Sequence, residues 1–446
     1  MKTPICDFVR QYTAGNPGRL HMPGHKGRPL LGPEPLDITE IPGADTLYAS
    51  GGIIRESEDN ASSLFGSART VYSTEGSSLC IRAMMYLAQM HAAMQGKRLR
   101  IAAGRNAHRV FLEAAALLDP ELVWLTGARS ELLSCLVTTE ALEPLFSDPE
   151  TAPTAVFITS PDYLGRRTDL RPLADLCHRH GAMLLVDNAH GAYLRFLPGG
   201  LHPLQQGADL CCDSAHKTLP VLTGGAYLHF GQGCPAELLP MAERAMALFA
   251  STSPSYLILQ SLDALNALLA GEYPARIRET ANRVESLKTE LQALNWPVAE
   301  TEPLKITLCP KSMGYTGREL ADLLARKNLI CEFADPDNLV LMITPETDPE
   351  TFQMLKDSLT EAERRAPVLT EPPAPGIPKP VMTPREAVML PFEEVPAAES
   401  IGRILAGPSV SCPPAVPVVL CGERIDEAAI RMFRYYGIQT CQVVRE

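Results

Sequence analysis

No run of about 18 or more apolar residues occurs in this chain, so no membrane-spanning helix is expected. The opening stretch MKTPICDFVRQYTAGNPG has neither a long apolar segment nor a small-residue cleavage pattern. No secretory leader is expected, and a cytosolic location is the default. The 12 cysteines include no CxxC pair and no Cys/His spacing of the zinc type, so neither a metal site nor a disulfide framework is expected. Cys80, Cys177, Cys211 and Cys212 fall in runs that read as core, where a reduced thiol behaves as a small apolar group. Positive charge is in short supply: the formal net charge is -12. An acidic chain repels phosphate backbones, which argues against nucleic acid as a partner. There are no internal repeats, and HMPGHKG (21–27) lacks the spacing of a Walker phosphate loop.

Proline is in excess, with 39 in 446 residues against an average of about 5%. Many fall in APVLTEPPAPGIPKPVMTPRE (366–386), which reads as an extended linker or wrapping arm. The length exceeds one small core. Four segments are expected: an irregular N-terminal stretch over 1–60, a large domain over 61–290, a small α+β domain over 291–366, and the proline-rich arm with a C-terminal subdomain over 367–446.

Within the large domain, GSSLCIRAMMYLAQMHAAM (76–94) has apolar residues at helical spacing behind a Gly-Ser-Ser start. RIAAGRNAHRVFLEAAALL reads strand, turn, helix, and TAVFITSPDYLGRRTDLRPLADLCHRHGAMLLVDNAHGAY (154–193) reads strand, loop, helix, strand, loop. AVFITS and AMLLVD are continuously apolar rather than alternating, as strands covered on both faces are. Alternating strands and helices predict an α/β fold with a mostly parallel sheet. Ligands in such sheets sit beyond the carboxyl ends of the strands. STSPSYLILQSLDALNALLAG (251–271) reads as the start of a long helix that continues over 275–292.

Asp187 ends one of these strands, and Lys217 follows another in DSAHKTLPVLTGG (213–225). Most lysines are solvated, whereas this one follows directly on a buried run. A desolvated lysine is a nucleophilic amine of the kind that forms Schiff bases, most often with pyridoxal phosphate. That cofactor makes further demands. Its pyridine nitrogen needs an acid partner, for which Asp187 is placed, although a strand-end aspartate is as often a turn residue. Its phosphate needs N–H groups and hydroxyls at a helix start, which Gly76-Ser77-Ser78 supplies, although an ordinary helix start looks the same. Its ring needs a flat neighbour, for which His108 is a candidate. His190 and His216 flank the same position, and Ser214 is a candidate phosphate contact. Taken singly these signals are weak. Their order along the chain is that of the large aspartate-aminotransferase-like fold, type I of the pyridoxal-phosphate enzymes.

The chain resembles the bacterial Orn/Lys/Arg decarboxylases. HMPGHKG (21–27), DITEIPGADTL (37–47), LFGSARTVYSTEGSS (64–78), RNAHR (105–109), ITSPDYLG (158–165), LLVDNAHGAY (184–193), DSAHKTLPVLTGGA (213–226) and STSPSY (251–256) match in order, and the likeness continues to CPPAVPVVLCGE. The short form, with no N-terminal wing, is implied. The resemblance implies that Lys217 holds pyridoxal 5'-phosphate as a Schiff base, Asp187 pairs with its ring nitrogen, and His108 stacks on the ring. Ser77, Ser78, Ser214, His190 and His216 then line its site. Thr252 and Ser253 reach the cofactor of a second subunit, so a homodimer or larger assembly is implied, with the 1–60 segment lining the site or the subunit interface. The implied reaction is decarboxylation of a basic amino acid, arginine first and lysine or ornithine next, with His216 or Lys217 as proton donor.

Departures from the family pattern occur at Asn188 and Tyr193 (DNAHGAY for DEAHGAH), Cys412 and Ala415 (SCPPAVP for PYPPGIP), Cys421 (CGE for PGE) and in RNAHRV (for RNxHKS). A dibasic substrate needs an acidic group for its distal cation, and Glu423 is the candidate. Two other readings stay open here: an aminotransferase or lyase of the same fold, and a catalytically weak homologue with a binding or regulatory role.

Overall fold

The structure is a computed structural model that describes residues 1–127, 133–412 and 416–445. Ala415 lies outside the described residues, and of Cys412 only the backbone is described. The chain divides into two compact units. The first comprises residues 1–99, 153–156 and 170–277, and the second 100–152, 157–169 and 278–446.

In the first unit, strands Arg69–Ser73, Ala226–Phe230, Leu210–Asp213 and Met183–Asp187 lie side by side in that order. Leu210–Asp213 runs parallel to Met183–Asp187, with Asp187 opposite Cys212. Ala226–Phe230 runs antiparallel to both of its neighbours. Every residue of Met183–Asp187, Leu210–Asp213 and Ala226–Phe230 is buried, which accounts for their unbroken apolar sequence. Because Met183–Asp187 and Leu210–Asp213 are parallel, they end at the same edge of the sheet. The turns that follow, residues 187–191 and 213–218, therefore emerge side by side.

Helix Gly76–Met94 packs on Leu210–Asp213 and Ala226–Phe230. It buries Leu79, Cys80, Ala83, Met84, Leu87 and Ala88, the stripe expected from its spacing. Gly76 opens it at φ +73°, a left-handed conformation that favours glycine. Its N–H donates to the Gly224 carbonyl at 2.7 Å.

Residues 1–60, expected to be irregular, contain helix Pro4–Ala14 and the start of helix Ile53–Phe65. Pro4 sits in the first turn, where its missing N–H costs nothing. Ile5 and Val9, four apart, are both fully buried. Asp263 ties this segment down by accepting from Cys6 N at 2.9 Å and Ser57 Oγ at 2.6 Å. The long helix expected over 251–292 is two helices, Tyr256–Leu269 and Tyr273–Ala293. Gly271, a poor helix former, lies in the break.

In the second unit, Arg100–Gly104 and Glu121–Leu125 pair in parallel. Lys305–Leu308, Leu339–Met342 and Phe333–Ala334 form an antiparallel sheet accompanied by helices Gly317–Ala325 and Pro349–Glu361. Thr316 and Glu319 close a capping box on the first helix, and Asp348 caps the second. The C-terminal part pairs Phe392–Pro396 with Thr440–Val444 and Ser409–Cys412 with Val416–Leu420. Helix Glu427–Tyr436 buries Ile430 and Phe433 in a core shared with Leu405, Val419 and Val443.

Among the described residues, no helix is long and apolar enough to cross a membrane.

Candidate active site

The two side-by-side turns of the first unit bring the main expected residues together. Lys217 lies in the short helical turn Ala215–Thr218 and is half-buried. Its Nζ is 3.1 Å from Nε2 of the buried His190, so an ammonium at 217 donates to a neutral imidazole. Asp187 is 4% exposed. Its Oδ1 accepts from Ala189 N at 3.1 Å and from the Cys212 thiol at 3.6 Å. Its Oδ2 accepts no hydrogen bond among the described residues. A nearly buried carboxylate with one open oxygen suits a cationic N–H donor.

At the start of helix Gly76–Met94, Ser214 Oγ donates to Ser77 Oγ at 2.8 Å, which leaves the Ser77 proton free to donate elsewhere. No side chain caps this helix, so the N–H groups of Ser77 and Ser78 face outward from its positive end. Ser77 and Ser78 are half-buried and Ser214 is buried. These are the donors that an anionic phosphate takes. His216 Nδ1 donates to the Gly225 carbonyl at 3.0 Å. Its ring lies beside Gly76, with Cε1 4.0 Å from where a β-carbon there would sit. Burial pushes the His216 imidazole below its ordinary pKa, and nearby Lys217 lowers it further, against a rise from the Gly225 hydrogen bond. With Nδ1–H committed to the carbonyl, Nε2 is left to accept.

Thr252 and Ser253 are exposed, in the loop before helix Tyr256–Leu269. The loop is anchored where Ser251 N donates to Oε1 of Glu75, the residue preceding Gly76, at 2.8 Å. It therefore sits near the start of helix Gly76–Met94 in its own chain.

Two expected residues belong to the second unit. His108 is half-buried and caps helix Arg109–Leu118, its Nδ1 accepting from Val110 N at 3.3 Å. Glu423 is 2% exposed and makes a bidentate pair with Arg105, at 2.6 and 2.8 Å. It also accepts from Leu420 N at 2.9 Å. Its carboxylate is thus already taken within the chain. Removing one partner of a buried pair strands the other charge, at a cost of about 3–5 kcal/mol. Glu423→Ala is accordingly expected to lower the denaturant midpoint markedly, and Glu423→Gln less so. A midpoint unchanged in Glu423→Ala would contradict the pairing.

Two further residues hold these turns without standing out in the sequence: Asp213, which accepts from Asn188, and His202, which donates to Asp213. Asp213 was visible as a charge closing the apolar run LCCD, an expensive place for an unpartnered carboxylate.

The sequence model of the Orn/Lys/Arg decarboxylase major domain matches residues 3–309, and that of the family's C-terminal domain matches residues 369–442. An uncharacterized Bacillus subtilis protein, YaaO, is 31% identical over 97% of this chain and 93% of its own length. The arginine decarboxylase of Bacillus subtilis is 28% identical over 96% and 92%. Lysine decarboxylase A from Pseudomonas aeruginosa superimposes with a TM-score of 0.82 at 18% identity, covering 99% of this chain and 80% of that one. The likeness of fold extends to a Sphingomonas wittichii serine palmitoyltransferase at a TM-score of 0.55. The fold is therefore the aspartate-aminotransferase-like type I fold, with a mostly parallel central sheet and smaller α+β parts. With both domain models matched in order along the chain, and relatives matched over more than nine-tenths of their length, this chain belongs to the Orn/Lys/Arg decarboxylase family of enzymes.

Proposed function

We propose that this enzyme uses pyridoxal 5'-phosphate, held by Lys217, to decarboxylate a basic amino acid, arginine first and lysine or ornithine next, giving the polyamine-type amine and carbon dioxide. The observation that carries the proposal is the pairing of two features in one unit: the Lys217 amine 3.1 Å from His190, and the nearly buried Asp187 with one carboxylate oxygen open.

The donor set fits the cofactor. Lys217 would attach it, Asp187 Oδ2 would accept its ring N–H, and Ser77 and Ser78 would take its phosphate, with Ser214 orienting the Ser77 hydroxyl. When bound, the cofactor supplies an electron sink for the pair left behind by departing carbon dioxide. The chain's own groups supply the rest. Asp187 would keep a proton on the ring nitrogen of the bound cofactor, because its buried carboxylate favours a cationic partner. His190 Nε2 accepts from the Lys217 ammonium and is placed to receive its proton when the amine acts as a nucleophile. Lys217 and His216 are the groups placed to return a proton to the substrate carbon. Since the His216 imidazole is lowered, Lys217 is the stronger candidate at neutral pH. His108 is assigned to ring stacking by the family pattern. Glu423 reaches a substrate cation only by competing with Arg105, so selection of the distal group rests with other residues.

Self-association is part of the proposal. Leu20 is 99% exposed and Leu30 and Leu31 are each 88% exposed, on an irregular N-terminal stretch. A second copy of the chain would cover such apolar surface, and Thr252 and Ser253 are exposed to meet it.

Kinetics of the holoenzyme on arginine, lysine and ornithine test the assignment. The expected result is amine formation, with kcat/KM highest on arginine. Turnover of none of the three would overturn the proposal, and a higher value on lysine or ornithine would overturn the ranking. Ser77→Ala is expected to weaken cofactor retention by about tenfold, the worth of one hydrogen bond to a charged group. Dialysis followed by absorbance checks it, and full retention would contradict the phosphate role.

A further inference from the structure

Asn188 and Asp213 have no part in the chemistry above, yet they join the two turns that carry it. Asn188 stands between Asp187 and His190. Asp213 immediately precedes Ser214 and lies on the same turn as His216 and Lys217. The Asn188 amide Nδ2 donates to Asp213 Oδ1 at 2.6 Å, and Asn188 N donates to the Cys212 carbonyl at 3.0 Å. Both side chains are fully buried.

We infer that the Asn188–Asp213 hydrogen bond is a clamp between the two catalytic turns, and that both are positioning residues that fix Asp187 and His190 relative to Lys217. The inference rests on the assignment of Lys217 made above.

The clamp is built to be strong. The second oxygen of Asp213 accepts from His202 Nε2 at 2.9 Å, and His229 Nε2 lies 3.3 Å from the same atom. His202 Nδ1 accepts from Leu204 N at 3.3 Å, which places the ring proton on Nε2, facing the carboxylate. Burial would raise the Asp213 carboxyl, but His202 and His229 outweigh it and hold the group below the usual carboxylate range. Asn188 thus donates to an ionised acceptor, the stronger kind of hydrogen bond.

The amide is also fixed on its other side. A β-carbon at Gly191 would fall 2.0 Å from Asn188 Oδ1, so glycine there makes room for this one orientation. Gly191 N donates to the Asn188 carbonyl at 2.8 Å, which closes the turn. The Cys211 thiol has its sulfur within 4.8 Å of the donor atoms of His202 and Asp213, as a metal set would. Burial pushes that thiol well above its ordinary pKa, and both Asp213 oxygens already accept hydrogen bonds.

Reciprocal exchange tests the clamp. Asn188→Asp sets two carboxylates against each other. Asp213→Asn cannot present an acceptor to both Asn188 and His202. The double variant, N188D with D213N, satisfies every partner again: the new amide accepts from His202 and donates to the new carboxylate. Each single change is expected to lower kcat by about 10- to 100-fold with KM within about threefold, and to shift the visible band of the bound cofactor. The double variant is expected to recover kcat to within about fivefold of the parent and to regain the parental band. Thermal midpoints are measured in parallel. Should Asn188→Asp fail to fold, Asn188→Ala removes the donor without adding charge and is expected to lower kcat by about tenfold. Single variants with parental kcat and band would overturn the clamp, as would a double variant that melts like the parent yet is no more active than the singles. A parent with no cofactor band would instead overturn the Lys217 assignment, and the clamp with it.

Discussion

Lys217→Ala is expected to abolish the visible absorbance of the purified enzyme and to lower kcat by at least about 1,000-fold, because both the covalent hold and the proton carrier go together. Lys217→Arg should fare no better. A guanidinium keeps the positive charge beside His190 but stays protonated and cannot act as a nucleophile. The pair of variants separates attachment from simple charge. If Lys217→Arg kept the band and turnover, the role of Lys217 would be electrostatic and the attachment point would lie elsewhere. Absorbance spectra and single-turnover assays on both variants decide it. The local structure supports a specific loss rather than unfolding, since Lys217 is half-buried at the sheet edge and the turn is held by its backbone, with Leu219 N donating to the Ala215 carbonyl at 2.8 Å.

Asp187→Asn is the second large effect. The substitution is isosteric, and its amide oxygen can still accept from Ala189 N. What it would lose is the negative charge proposed to pair with the cofactor nitrogen, and an amide N–H in that place would repel a protonated ring. The cofactor should therefore remain attached while kcat falls by about 100- to 1,000-fold, roughly 3–4 kcal/mol of lost stabilisation. A band retained with turnover lost is the expected signature. Turnover within about threefold of the parent would remove Asp187 from the mechanism.

The sequence made some of this legible and hid the rest for identifiable reasons. Helix Gly76–Met94 matched its expected span because a Gly-Ser-Ser start and a long apolar stripe agree. Strands Met183–Asp187 and Leu210–Asp213 were readable as buried runs, so the strand-end Asp187 and the post-strand Lys217 could be singled out. Ala226–Phe230 was not read as a strand, and nothing local marks it as antiparallel to its neighbours: direction is a property of the connection. Helix Pro4–Ala14 escaped notice because its buried face is only Pro4, Ile5, Cys6 and Val9, too short a stripe to stand out among the surrounding Gly and Pro.

The partnerships were the least visible. Arg105 and Glu423 are 318 residues apart in the chain. Glu423 is the acid that a dibasic substrate calls for in the sequence, and only its buried partner shows that the carboxylate is already taken. Asn188 looked like a bare departure from the family pattern. Its meaning depends on Asp213, 25 residues away, and on two histidines that hydrophobic periodicity cannot bring together.

The most direct test of the central claim is to reduce the holoenzyme with borohydride, digest it and map the peptides by mass. The account predicts one cofactor-sized addition, on the peptide carrying Lys217, that is absent from Lys217→Ala. An unmodified Lys217 peptide, or the addition on another lysine, would contradict it.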